Sequence, residues 1–296
     1  MGIEEPRPVL ITGCSTGIGR ATAERLAGEG WNVHATARRP ESIEDLAERG
    51  CKTHALDVTD ERSMESAVRA VEEDGPIGAL VNNAGYSQSG AIETIPMESV
   101  RRQFETNVFG LMRMCQLVLP SMRSAGSGRI VNLSSMGGKL TFPGGGVYHA
   151  TKHAVEALSD ALRFEVAGFG VDVVVIEPGL IITEFGETAA GSLAEVQEHG
   201  PYSKFNSDVA RVTANAYTGP MGRFAAGPEA VAGKIAKALT ARRPSTRYTV
   251  SASAKAMLGV RRLSTDRMWD RFVRSQFPPP RPEGRSELPP EDYPHG

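Results

Sequence analysis

The stretch that most limits how this chain can fold is its beginning. Val9-Leu-Ile11 is a short apolar run that enters Thr12-Gly-Cys-Ser-Thr-Gly-Ile-Gly19, after which Ala21, Ala23, Leu26 and Ala27 continue at helical spacing. Strand, glycine turn and helix in that order form the βα unit that takes a dinucleotide pyrophosphate. Gly13 permits the tight turn, Gly17 lets backbone approach a phosphate, and Gly19 lets the helix pack on the strand. The first N–H groups of a helix have no partner within it, so they suit an anion. Gly13, Ser15, Thr16, Gly17, Ile18 and Gly19 are therefore the expected contacts of this turn. Alone, the same glycines also suit a plain βα loop.

The alternation continues along the chain. Trp31 to Ala37, Lys52 to Leu56, Ile77 to Val81, Arg129 to Leu133, Val171 to Ile176 and Thr246 to Val250 read as strands. Between them, Ser42 to Arg49, the stretch from Asp60 as N-cap to Val71, about Met97 to Ser124, and Tyr148 to Gly168 read as helices. Strands alternating with helices at this spacing predict an α/β fold with a single doubly wound parallel sheet, Rossmann-like, and helices on both faces. Ser207 to Tyr217, Pro228 to Ala241 and Thr265 to Phe277 are the last predicted helices. Residues 1–276 are expected to form one unit, with the segment about 184–226 shaping a substrate site. The proline- and charge-rich stretch 277–296 is expected to be disordered.

The second informative stretch runs from Ser134 to Lys152, Ser-Ser-Met-Gly-Gly-Lys-Leu-Thr-Phe-Pro-Gly-Gly-Gly-Val-Tyr-His-Ala-Thr-Lys. Tyr148 and Lys152 are i and i+4, one turn apart on one helix face. A tyrosine titrates near pH ~10, and a neighbouring cation favours its phenolate, which makes the pair an acid–base device. Ser135, at the end of a strand, can add a hydrogen bond to the same reacting oxygen. Taken singly, the tyrosine packs, the lysine snorkels and the serines end a strand.

Other chemistries fit less well. His149 and His153 have the spacing of a zinc pair, but Ala150 stands where a metalloprotease needs glutamate and no third ligand is apparent, so no metal site is expected. Leu133 two residues before Ser135 rules out the nucleophile elbow of a serine hydrolase. The net charge of -2 and the lack of a long basic run argue against nucleic acid. Cys14, Cys51 and Cys115 imply no disulfide framework and suit a reducing compartment. The first residues lack the pattern of a signal peptide and no apolar run would span a bilayer, so a cytoplasmic protein is expected.

Thr12-Gly-x-x-x-Gly-Ile-Gly19, Asn82-Asn-Ala-Gly85, Asn107, Ser135, Tyr148-x-x-x-Lys152 and Pro178-Gly179 together resemble the short-chain dehydrogenase/reductase family, over roughly residues 8 to 250. Ala35-Thr-Ala-Arg-Arg-Pro40 further resembles its hydroxysteroid and retinol dehydrogenase-like branch. The resemblance implies an oxidoreductase in which Tyr148 is the general acid in carbonyl reduction and the base in alcohol oxidation. It implies that Lys152 lowers the pKa of Tyr148 and bonds the nicotinamide ribose. Ser135 would hold the substrate oxygen, and Asn107 would anchor a water joining Lys152 to solvent. Asp57 and Val58 would meet the adenine, Asn83 and Gly85 the adenosine half, and Pro178, Ile181 and Thr183 the nicotinamide. A homodimer or homotetramer is implied by the same analogy. A non-catalytic dinucleotide sensor on this fold is the rival reading, but it has little use for Ser135, Tyr148 and Lys152 together.

The end of the second strand speaks to the coenzyme. An acid there bonds the ribose 2′-hydroxyl of NAD, whereas an arginine accommodates the extra phosphate of NADP. Position 37 is alanine, and Arg38 and Arg39 follow, so NADP(H) is expected, with Arg38 as the main contact. Phe142, Phe185, Tyr202, Phe205 and Tyr217 are expected around an apolar cleft for a lipophilic carbonyl or alcohol such as a steroid, retinoid or long-chain ketone.

Overall fold

The structure, a computed structural model, describes residues 7–183, 201–219, 222, 224–277 and 279–280. Its centre is a seven-stranded parallel sheet in the order β3-β2-β1-β4-β5-β6-β7. The strands are β1 (Val9–Ile11), β2 (Val33–Ala37), β3 (Lys52–Ala55), β4 (Ala79–Asn82), β5 (Gly128–Leu133), β6 (Val171–Pro178) and β7 (Arg247–Val250). All seven predicted strands are present. The order reverses between β1 and β4, and a parallel doubly wound sheet opens a crevice there, beyond the carboxyl ends of its strands.

Both faces of the sheet are covered, which is why β1, β2, β4, β5 and β6 are buried along nearly their whole length rather than alternating, while the edge strands β3 and β7 are not. Val9 and Ile11, Val81, and Val131 with Leu133 pack on one side with Leu26 of α1 (Gly17–Gly28) and with Val231 and Ile235 of a later helix, Pro228–Thr240. Leu10, Leu80 and Ile130 pack on the other, against Val68 of α3 (Glu61–Glu72), Met114 and Val118 of α5 (Leu111–Ser124) and Val155 of α6 (Gly146–Val166). The short α2 is Asp45–Glu48. Asp60 caps α3 as predicted, accepting from the Ser63 N–H at 3.0 Å.

The predicted long helix from Met97 is interrupted. It comprises α4 (Met97–Phe104), a π-helical turn at Glu105–Gly110, and α5. A side chain at position 110 would run into the Val58 carbonyl, so glycine there lets the helix lie against the end of the third strand. The widened turn carries Asn107 inward, where it is 1 % exposed. Such turns recur at functional sites.

After β6 come α7 (Ser203–Thr218), α8 (Pro228–Thr240, introduced above), α9 (Ala252–Leu263) and α10 (Asp266–Gln276). Helix α9 was not expected from the sequence: of its residues only Ala254 is buried, so it has almost no core-facing stripe to announce it. At the start of β5 the buried Arg129 guanidinium donates to the carbonyls of Ala238, Leu239 and Ala241, satisfying the end of α8 that has no partners within the helix. The described residues include only 277, 279 and 280 of the tail expected over 277–296, and of the substrate-shaping segment about 184–226 they leave out 184–200, 220, 221 and 223. No helix among the described residues is long and apolar enough to cross a membrane.

Candidate active site

A cavity of about 1550 Å³ lies over the carboxyl ends of β1, β4, β5 and β6. Its floor at one end is the glycine turn, where Gly13 and Gly17 take φ of 74° and 57°, the left-handed region that favours glycine. Thr16 stands at the N-cap of α1 without a side-chain bond to the first turn, and that turn holds no acid. Its N–H groups and dipole are thus left to an anion. Asn83 braces the loop: its amide donates to the carbonyls of Thr12 at 2.9 Å and Gly13 at 2.8 Å. Thr12 Oγ1 in turn accepts from the N–H groups of Asn83 and Ala84, both at 3.0 Å.

Of the turn residues, Gly13, Ser15, Thr16, Gly17 and Ile18 line the cavity. Gly19 does not; it is buried behind the turn, where any side chain would run into the Gly13 carbonyl and the Asn83 amide. Arg38, Asp57, Val58, Asn83, Gly85, Pro178, Ile181 and Thr183 also line the cavity. Arg39 is the exception. It points outside the cavity, and its carbonyl accepts from the Ser42 hydroxyl at the start of the next turn. Ser99, Arg102 and Thr106, spaced at i, i+3 and i+7 along α4 and the π turn, also line the cavity, and Arg102 and Arg38 both act electrostatically on Tyr86. They are absent from the sequence reading, because nothing in a helix's own pattern says which polar face meets a cavity.

Ser135 sits just past β5 in extended conformation, and its Oγ accepts from the Gly137 N–H at 3.0 Å. The same hydroxyl hydrogen-bonds the Tyr148 phenol. With the Gly137 N–H occupying one acceptor position, the Ser135 hydroxyl keeps its one proton and a second acceptor position for the phenol or for an oxygen bound beside it. Lys152, one turn on from Tyr148, is buried and donates to the Leu133 carbonyl at 2.7 Å, with its Nζ 5.8 Å from the centre of the tyrosine ring. Asn107 donates to the Tyr86 carbonyl at 2.9 Å and to Thr151 Oγ1 at 3.1 Å, and accepts from the Tyr86 N–H at 3.1 Å. It is a buried brace, within reach of Gly85, and does not itself line the cavity.

The electrostatics depart from the sequence reading. Burial pushes the Tyr148 phenol up to about 12, with the Ser135 bond only partly opposing it. Burial also pulls the Lys152 ammonium down to about 8, against the attraction of Glu156. The expected lowering by the lysine is not among the causes that act on the phenol: the ammonium is committed to the Leu133 carbonyl, and burial dominates both groups.

His149 lines the cavity beside Tyr148. Its Nδ1 accepts from the Phe142 N–H at 3.3 Å, and burial holds its pKa down near 4. His153 Nδ1 bonds the His149 carbonyl at 2.9 Å, and no metal-binding cluster occurs among the described residues. Phe142 and Tyr217 line the cavity as expected, but Tyr202 and Phe205 do not. Tyr202 instead donates to Glu93 at 2.6 Å and packs on Phe205. Phe185 lies outside the described residues. The remaining aromatic wall comes from further along the chain: Phe272 and Phe277 line the cavity with Met257, and Phe142 contacts Trp269 and Phe277 at centroid distances of 5.7 Å and 5.9 Å.

A doubly wound sheet, a pyrophosphate-type turn at its switch point and a buried Ser–Tyr–Lys group facing the same cavity define a dinucleotide-dependent oxidoreductase. The profile of the short chain dehydrogenase family matches residues 7–192, and the chain belongs to that family, whose members bind nicotinamide dinucleotides and act on CH–OH groups. It is similar to the uncharacterized oxidoreductase YbbO of Escherichia coli, 35% identical over 90% of this chain and 94% of that one. It is also similar to the NADPH-dependent 3-dehydrocapnine reductase of Ornithobacterium rhinotracheale, 33% identical over 90% of this chain and 95% of that one. Among solved structures, a short-chain dehydrogenase from Streptomyces avermitilis is 35% identical, with a TM-score of 0.76 over 92% of this chain and 98% of that one. None of these three is named as a hydroxysteroid or retinol dehydrogenase.

Proposed function

We propose that this chain reduces a lipophilic carbonyl to its alcohol with NADPH, with Tyr148 as the general acid. The observation that carries the reading is the Ser135 hydroxyl held on the Tyr148 phenol by the Gly137 N–H, at the floor of a cavity that reaches the glycine turn. A nicotinamide dinucleotide fits the residues present. Its pyrophosphate matches the uncapped first turn of α1, and its adenosine half matches the end bordered by Arg38, Asp57 and Val58. Bound there, the nicotinamide supplies the hydride that the carbonyl carbon accepts.

The chain's own residues supply the proton and the positioning. A phenol held near 12 is protonated at neutral pH, the form required to give its proton to the carbonyl oxygen. Ser135 bonds the same oxygen, and Lys152 lies behind the phenol to recharge it once the proton has left. Asn107 holds the Tyr86 backbone against Thr151, which keeps α6 and its tyrosine in register with the floor.

NADPH over NADH is supported by Ala37 in place of an acid and by Arg38 at the cavity. Arg102 adds a second guanidinium to the cavity lining, and the O. rhinotracheale relative is named as NADPH-dependent. A lipophilic substrate is supported by the wall of Phe142, Tyr217, Met257, Phe272 and Phe277. Carbonyl-dependent NADPH consumption, followed over ketones and aldehydes of graded length, tests the reading. Turnover rising with apolar length is expected; turnover confined to small charged substrates would contradict the assigned class.

A further inference from the structure

The most uneven surface away from the cavity belongs to the two helices after β7. Residues 252–276 hold six basic side chains, Lys255, Arg261, Arg262, Arg267, Arg271 and Arg274, against only Asp266 and Asp270, in a chain whose net charge is -2. Asp266 is already engaged, accepting from Arg261 at 2.8 Å, and the Arg261 guanidinium lies 5.6 Å over the Trp269 ring. On α10, Arg267, Arg271 and Arg274 fall at i, i+4 and i+7 and are all exposed, forming one stripe. Trp269 and Phe272, on the opposite side, turn toward Phe142 and the cavity.

The outer side of α9 is apolar. Ala256, Val260 and Leu263 share the same helical spacing, with Val260 49 % and Leu263 86 % exposed, and Met268 at the start of α10 is 55 % exposed. Each stripe lies on the side of its helix away from the one residue that helix buries, Ala254 or Trp269, and water alone favours neither large apolar groups nor single-sign charge so placed. A nucleic acid would use the arginines and leave Leu263 without purpose. A second copy related by a two-fold axis would set this basic stripe against itself. An anionic bilayer surface accepts both features, since its headgroup phosphates pair with guanidinium and its interface takes up the apolar side chains.

We propose that the outer face of α9 and α10 docks on an anionic lipid surface, which sets the cavity wall of Met257, Phe272 and Phe277 beside the bilayer. The docking is independent of which carbonyl is reduced. Co-sedimentation of the whole protein with phosphatidylglycerol–phosphatidylcholine vesicles, against pure phosphatidylcholine vesicles, tests it. Binding to the anionic vesicles only, weakened by added salt, is expected. The double variant R267E/R271E should lower partitioning roughly tenfold or more, and Leu263→Ser should lower it several-fold. Neither should alter coenzyme binding measured by fluorescence, which serves as the control for folding. The proposal is overturned if the anionic vesicles do not bind, or if R267E/R271E partitions as wild type. It is also overturned if Leu263→Ser leaves vesicle binding intact while heparin competes fully, which marks a general polyanion site. A changed mass of R267E/R271E in light scattering would overturn it as well, by marking a subunit contact.

Discussion

The Lys152 ammonium donates to the Leu133 carbonyl at 2.7 Å, tying α6 to the end of β5. Burial draws that ammonium's pKa down to about 8, so its charge is lost as pH rises through that value. A coenzyme contact that depends on the charge should weaken over the same range. Coenzyme affinity, titrated by fluorescence from neutral to alkaline pH, should fall above about pH 8 in the wild type and be flat in Lys152→Met. A wild-type affinity that does not vary with pH would mean the lysine does not contact the coenzyme.

Arg38 and Arg102 both line the cavity and both act electrostatically on Tyr86. Charge-assisted bonds from guanidinium to phosphate contribute about 1.5–3 kcal/mol each. Arg38→Leu should therefore raise the KM for NADPH by about tenfold or more and leave that for NADH nearly unchanged, with Arg102→Gln adding a smaller loss. Ala37→Asp together with Arg38→Leu should shift kcat/KM toward NADH. Equal losses with both coenzymes would place the arginines elsewhere than at the 2′-phosphate.

Gly19 has no room for a side chain, with the Gly13 carbonyl and the Asn83 amide in the way. Gly19→Ala should cost about 1–3 kcal/mol of stability, typical of overpacking. It should weaken coenzyme binding as well, because the glycine turn must shift. Unchanged melting and affinity would show that α1 is less tightly seated than its contacts imply.

His34 is fully buried between His54, at 2.9 Å, and Asp74, at 2.9 Å, with Lys52 also on Asp74. Burial holds His34 neutral, with a folded pKa near 4 against an ordinary 6.5. The unfolded chain therefore binds the extra proton between those values. The stabilisation is complete above pH 6.5 and is lost as pH falls toward 4. His34→Gln should flatten this acid limb by up to about 1.4 kcal/mol per pH unit, one proton's worth. Denaturant unfolding at several pH values would show it; an unchanged slope would contradict the assignment.

Phe109, Met112 and Phe164 leave large apolar surface on the π turn, α5 and α6, with Phe164 79 % exposed. We propose that these helices meet a second subunit, giving a dimer or tetramer. Light scattering at micromolar concentration should show the oligomer, and Phe164→Asp should dissociate it. A monomeric wild type would contradict the proposal.

The sheet and the local motifs could be read from the chain because their signals are short-range. The glycine turn, the strand before Ser135 and the i, i+4 relation of Tyr148 and Lys152 each lie within one element. What could not be read depends on packing between distant elements. Nothing in Gly110 alone shows that the Val58 carbonyl will press on it, and nothing in Arg102 shows that its face of α4 meets the cavity. Phe272 and Phe277 read as an ordinary amphipathic helix and its end, and only the return of α10 to Phe142 makes them a wall of the site. The raised pKa of the Tyr148 phenol could not be read for a related reason, since the burial that causes it is a property of the whole fold.

The central claim is that the Tyr148 phenol gives the proton, and one variant tests it most directly. Tyr148→Phe keeps the ring and removes only the hydroxyl that Ser135 bonds. Its kcat for NADPH-dependent reduction of a substrate turned over by the wild type, measured beside coenzyme affinity by fluorescence, should fall by about 10²-fold or more while the affinity stays within a few-fold of wild type. A kcat unchanged in Tyr148→Phe would contradict the account and assign the proton to another group.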